Sequence, residues 1–167
     1  MTDPLCPNFG SCGGCSFQNI DYSEQLKDKK RCLSEAIRFN NIQVYSGQEY
    51  NYRNRMDFVF HAEGLGLRER GSWYKMVNIK HCPISNNRLN EILTEVREFF
   101  KDVFYFDVKK QFGTYCYAVI RTPTNDSSVS IVLNKKSKKK DEAVEYIKKF
   151  AKITSINNVI VTYIPHN

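Results

Sequence analysis

No apolar run in the 167-residue chain extends beyond a few residues, Ile131-Val132-Leu133 being typical. A membrane-spanning helix needs about 20, so none is expected. The opening residues, Met1-Thr2-Asp3-Pro4-Leu5, hold neither a basic segment nor an apolar one, so no secretory signal is expected and the predicted location is cytoplasmic. Internal repeats are lacking, and so are low-complexity stretches other than the lysine run at 135–140. A glycine-rich phosphate loop is missing as well. In Gly64-Leu65-Gly66 the sixth position is Glu69, and a strand pattern follows where a helix would be needed.

Acidic charge is in short supply: 18 Asp and Glu stand against 25 Lys and Arg, a net charge of +7. The excess is clustered. Lys135–Lys152 holds eight lysines against three acids, and Arg53–Arg88 holds seven basic residues against three acids. Two basic regions on a chain without a membrane helix point to a polyanion, most simply nucleic acid. For 135–152 a solvated lysine-rich helix is the plainer explanation. What is abundant is aromatic: 11 Phe, 10 Tyr and 1 Trp within a 41% hydrophobic composition, which argues for a folded core. A chain of this size buries roughly 68–70% of its unfolded surface and needs no covalent staple.

Six cysteines lie at 6, 12, 15, 32, 82 and 116. Without a secretory signal, metal binding explains them better than disulfides do. Cys6, Cys12 and Cys15 form C-x5-C-x2-C, with Gly13 and Gly14 giving the backbone freedom to converge. A tetrahedral site needs a fourth ligand. Cys32 sits in a helical pattern over 21–40, in which Tyr22, Leu26, Leu33 and Ile37 recur at helical spacing, so it is expected as a small buried hydrophobe. Cys116 alternates with Tyr115 and Tyr117 in a strand and is expected in the core beside Ala118 and Ile120. Cys82, in the loop His81-Cys82-Pro83-Ile84, completes the preferred set of Cys6, Cys12, Cys15 and Cys82. Four thiolates suit zinc or an iron–sulfur cluster; three clustered cysteines and one remote one favour the cluster.

Several further motifs occur in order. They are Cys12-Gly13-Gly14-Cys15-Ser16-Phe17-Gln18, a helix with Tyr22 and Gln25-Leu26-Lys27, then Tyr52-Arg53-Asn54-Arg55-Met56, Gly66-Leu67-Arg68 and Val77-Asn78-Ile79-Lys80-His81-Cys82-Pro83-Ile84. Together they resemble the iron–sulfur branch of the SAM-dependent RNA 5-methyluridine methyltransferases, which act on uridines of tRNA or 23S rRNA. The resemblance implies a [4Fe–4S] cluster on Cys6, Cys12, Cys15 and Cys82. It also implies that this part of the family's chain holds RNA, while SAM binding and covalent catalysis by a cysteine on a base taken out of its stack belong to a Rossmann-like domain. That domain is not recognised here, so the chain is expected to be truncated, or split from a separate SAM-binding catalytic chain, and no catalytic residue is assigned.

The expected fold class is α+β: a cluster loop and helix over 1–45, then a central RNA-binding domain over 46–167 with a mainly antiparallel sheet and helices. Strands are predicted near 51–61, 64–70, 73–80, 114–121, 128–134 and 157–163, and helices near 21–40, 86–101 and 139–152. In the first strand Arg53, Arg55 and Asp57 share one face; Tyr52, Asn54, Met56, Phe58 and Phe60 share the other. Arg53, Arg55, Arg68, Arg70 and Lys75 are candidate phosphate contacts. Trp73, after a Gly71-Ser72 turn, and Phe17 are candidates for base stacking, and Gln18 for a base edge. His61 and His81 are expected to be structural. The alternative is a stand-alone zinc- or cluster-bound RNA-binding module without methyltransferase activity.

Overall fold

Seven residues, Arg55–His61, form strand β1, and their alternation puts Met56, Phe58 and Phe60 inside, each no more than 6% exposed. The computed structural model describes residues 1–165. β2 (Gly64–Arg68) returns antiparallel after a two-residue turn, and β3 (Met76–Asn78) continues the meander. Gly66 is required in this hairpin, because a Cβ there would stand 2.4 Å from the Val77 carbonyl oxygen. Helix α2 (Asn87–Phe99) begins where the Asn86 side chain accepts from the Leu89 amide at 2.8 Å. β4 (Tyr115–Arg121) pairs with β1, and β5 (Ser128–Asn134) pairs with β4, both antiparallel.

The expectation of a mainly antiparallel α+β sheet is corrected at the next step. After β5 the chain crosses over through helix α3 (Lys140–Ala151) and re-enters as β6 (Asn158–Ile164), parallel to β5 along seven residue pairs. A parallel return needs such a crossover, which a short turn cannot supply. The result is a six-stranded mixed sheet in the order β3-β2-β1-β4-β5-β6.

Both helices lie on one face. Leu89, Ile92, Leu93 and Val96 of α2 and Ala143, Ile147 and Phe150 of α3 join Phe58, Phe60, Ile120 and Ile131 in a single core cluster. Its centre is aromatic: Phe60 meets Phe100 and Tyr115 edge-on, with ring centroids 6.0 and 5.5 Å apart. The lysines of the 135–152 run face solvent around the buried stripe of α3, and Lys148 pairs with Glu145 at 2.8 Å.

Two core expectations are also corrected. The predicted 21–40 helix forms as α1 (Tyr22–Ile37), capped by Asp21, but none of its residues is buried, Leu33 and Ile37 are about half exposed, and Cys32 is exposed. The helical spacing is present; no sheet lies against it. Cys116 is buried as expected, but a bulge between Tyr115 and Tyr117 turns it to the sheet face opposite Ala118 and Ile120, where it packs with Phe106, Val119 and Val132. Among the described residues no helix is long and apolar enough to cross a membrane.

Phe60→Ala should therefore cost about 3–5 kcal/mol in denaturant unfolding, while Leu33→Ser on α1 should stay within about 0.5 kcal/mol of the parent. Burial pushes the Cys116 thiol up to about 12. A thiol reagent applied to the native protein at pH 8 should then label exposed Cys32 first and leave Cys116 unmodified, as read by peptide mass spectrometry.

Candidate nucleic-acid interface

The helices cover one face of the sheet, and strand alternation sends the other set of side chains to the opposite face. Arg55, Asp57 and Val59 of β1 stand there directly opposite Arg121, Val119 and Tyr117 of β4. Arg55 makes two 3.1 Å hydrogen bonds to the carboxylate of Asp57, which also raises the affinity of the guanidinium for its proton. Arg53 donates to the Arg55 carbonyl at 3.3 Å and remains exposed. The sequence placed Arg53, Arg55 and Asp57 on one face; Arg121 was missed, because only the pairing register brings it opposite Arg55.

The β2–β3 hairpin is held to α2 by Arg97. Its Nη1 donates to the Leu65 carbonyl at 2.6 Å, Asn78 Oδ1 at 2.8 Å and the Ile79 carbonyl at 3.1 Å. This fixes the position of the next basic group. Arg68 sits on β2 facing the same way as Arg55, and its Nη1 is buried without a hydrogen-bond partner. Lys75 lies 3.8 Å from Glu69, with both side chains substantially exposed. Arg70 donates to the Cys15 carbonyl and lies 6.0 Å from the Phe9 ring centroid, so it binds the N-terminal loop to the hairpin. Trp73 is 61% exposed beside Tyr74, and Phe17 is 55% exposed on the N-terminal loop, apart from the hairpin tip. Gln18 is buried: its Oε1 accepts from the Cys6 amide at 3.2 Å, which braces the loop, and its Nε2 is without a hydrogen-bond partner.

The N-terminal loop reaches the sheet through the Gly13 amide, 2.9 Å from the Arg68 carbonyl, and the Arg70 amide, 2.7 Å from the Ser11 carbonyl. This brings Cys6, Cys12, Cys15 and Cys82 around one cavity of about 670 Å³, which Arg53, Arg55 and His81 also line. Asn90 fixes the Cys82 loop by accepting from the Cys82 amide at 2.9 Å and donating to its carbonyl at 3.1 Å.

The expectation of a [4Fe–4S] cluster or zinc on these cysteines is corrected. Among the described residues no group of three or more His, Cys, Asp or Glu side chains is placed to hold a metal ion, and the cysteines are free. Burial raises the Cys6 and Cys12 thiols above their usual value, and the charges of neighbouring cysteines add to the effect.

No family model matches the chain. Curated proteins do. The tRNA (uracil(54)-C(5))-methyltransferase of Pyrococcus abyssi is 35% identical over 120 residues, 71% of this chain and 30% of that protein. Its Pyrococcus horikoshii counterpart is 32% identical over 84% of this chain and 35% of its own length. A 23S rRNA (uracil(747)-C(5))-methyltransferase of Pyrococcus furiosus is 31% identical over 59% of this chain. The crystal structure of the P. abyssi tRNA enzyme in complex with S-adenosyl-L-homocysteine covers 84% of this chain and 35% of its own, with a TM-score of 0.67 and 28% identity.

The six-stranded mixed sheet with its helices is thus similar to part of a solved methyltransferase. The molecule bound in that relative is S-adenosyl-L-homocysteine. Nothing found supports a separate catalytic chain. The chain spans about a third of the length of these curated relatives. Its homologues are tRNA and rRNA uracil-C5-methyltransferases.

Proposed function

We propose that this chain grips the RNA substrate of a SAM-dependent uracil-C5 methyltransferase on the sheet face that no helix covers. The observation that carries the reading is the cross-strand pair Arg55 and Arg121, flanked by Arg53 and Arg68, on a rigid surface. Guanidinium groups bind phosphate oxygens through paired N–H donors. A uracil carbon inside a stacked helix is out of reach of a methyl donor, so the base must leave its stack. An enzyme of this kind therefore needs a surface that holds the flanking backbone while one nucleotide is displaced. Homology to enzymes acting on tRNA and rRNA supports RNA as the polyanion, and SAM as methyl donor follows from the S-adenosyl-L-homocysteine of the solved relative. Within residues 1–45 the loop Ser11–Cys15 braces this surface, and the basic face belongs to the segment from residue 46 onward. tRNA and 23S rRNA both remain within this reading.

The test is RNA binding by fluorescence anisotropy across a salt series. Replacing Arg53, Arg55 and Arg121 together by Gln should weaken binding to a uridine-containing RNA and reduce the slope of log affinity against log salt by about two, since each phosphate contact contributes about 0.7 on a single strand. A triple variant that is folded and binds with unchanged affinity and slope overturns the proposal.

A further inference from the structure

A second cavity, of about 330 Å³, opens on the same sheet face. Its floor is Val59 and Tyr117; one wall is the hairpin with Arg68, Tyr74 and Lys75, and the other is the segment Tyr105–Lys109. The volume falls at the small end of ligand sites, roughly 300–1,000 Å³.

The far wall is built to be stiff. Asp107 and Phe112 exchange backbone hydrogen bonds at 2.8 and 3.3 Å, and the Thr114 amide donates to the Phe104 carbonyl at 2.9 Å. Gly113 has φ of +132°, and a Cβ there would fall 2.0 Å from the Tyr105 carbonyl oxygen, so no other residue fits that turn. The Asp107 carboxylate accepts from the Lys109 and Lys110 amides at 2.9 and 3.1 Å, which hold it ionised below the usual carboxylate range. It also lies 3.8 Å from the Lys110 ammonium and acts on Lys109 of its own segment, while Arg68 stands on the opposite wall.

Those cations are unusually placed. Lys109 crosses to the other wall, with its Nζ 3.6 Å from the centroid of the Tyr74 ring. Arg68 keeps a buried Nη1 with no hydrogen-bond partner, a costly state for a charged group. Among the described residues neither Lys109 nor Arg68 has an ion pair. A buried unpaired guanidinium nitrogen beside a second cation calls for an anionic acceptor, and Tyr74 is the exposed aromatic ring beside them.

We infer that this groove, between the β2–β3 hairpin and the 105–109 segment, is a subsite for one unpaired nucleotide of the RNA. Arg68 and Lys109 take its phosphate, and Tyr74, with Trp73 at its edge, stacks on its base. The inference rests on the RNA-gripping role proposed above and adds a single-strand-specific pocket to it. A duplex presents no free base face, so the groove discriminates unpaired RNA from paired RNA.

The experiment compares the full chain with Arg68→Gln, Lys109→Met and Tyr74→Ala on a labelled single-stranded uridine-containing RNA and on the same sequence in a duplex. Arg68→Gln and Lys109→Met should each weaken single-strand binding about ten-fold and lower the salt slope by about 0.7. Tyr74→Ala should weaken it with the slope unchanged, and all three should affect the duplex less. Lys109 and Tyr74 are exposed, so these two variants decide the matter if Arg68→Gln does not fold. If wild-type protein binds RNA and the Arg53, Arg55 and Arg121 variant weakens it while the groove variants match wild type, the subsite is overturned and the broader role stands. If wild-type protein binds no RNA, the broader role falls and the subsite with it.

Discussion

The constraint on which everything else depends is one-sided coverage of the sheet. Two helices, α2 and α3, pack on the same face, and Phe60, Phe100, Tyr115 and Phe150 form the aromatic centre between the layers. Burying this face supplies the main driving force for folding, because fully burying a large apolar side chain is worth about 1.5–3 kcal/mol. With period-two alternation, whatever is not in that core must stand on the opposite face. The arginines are therefore displayed as a consequence of where the phenylalanines are buried.

A displayed face serves for binding only if it is held still. Three devices do this here. Arg97 clamps the hairpin to α2 through two backbone carbonyls and Asn78. The N-terminal loop is bridged to β2 and its flank through Gly13 and Arg70. The 105–112 turn is closed by Asp107 and by the one residue type its backbone tolerates at 113. Each of these devices holds in place a segment that lines the proposed RNA path. The arrangement suits phosphate recognition, in which guanidinium forks must meet oxygens at set distances.

Charge is divided between the layers. The lysine-rich α3 lies on the helical side with its lysines in solvent, and the arginine group lies on the bare side of the sheet. Lysine is a strongly hydrated point charge, whereas arginine offers a planar set of donors. The lysines therefore contribute to the long-range attraction of a polyanion, and the arginines to its placement. Four cysteines line the larger cavity beside Arg53 and Arg55, Cys12 and Cys82 buried and Cys6 and Cys15 partly so.

The alternation along residues 53–60, the α2 and α3 patterns and the order of the motifs were legible from sequence because they depend on short-range periodicity. Neighbours within a few residues determine which side chains share a face. The parallel entry of β6, the exposure of α1, the bulge that turns Cys116 over, the bracing role of Gln18 and the meeting of Arg55 with Arg121 were not legible. Each depends on which distant segment packs alongside. Spacing showed that α1 has an apolar stripe; only the tertiary structure showed that the sheet does not cover it. The chemistry of the cysteines was set by their sequence, but the burial that raises the Cys6 and Cys12 thiols above their usual value comes from the surrounding fold, since desolvation is a property of three-dimensional packing and not of order along the chain.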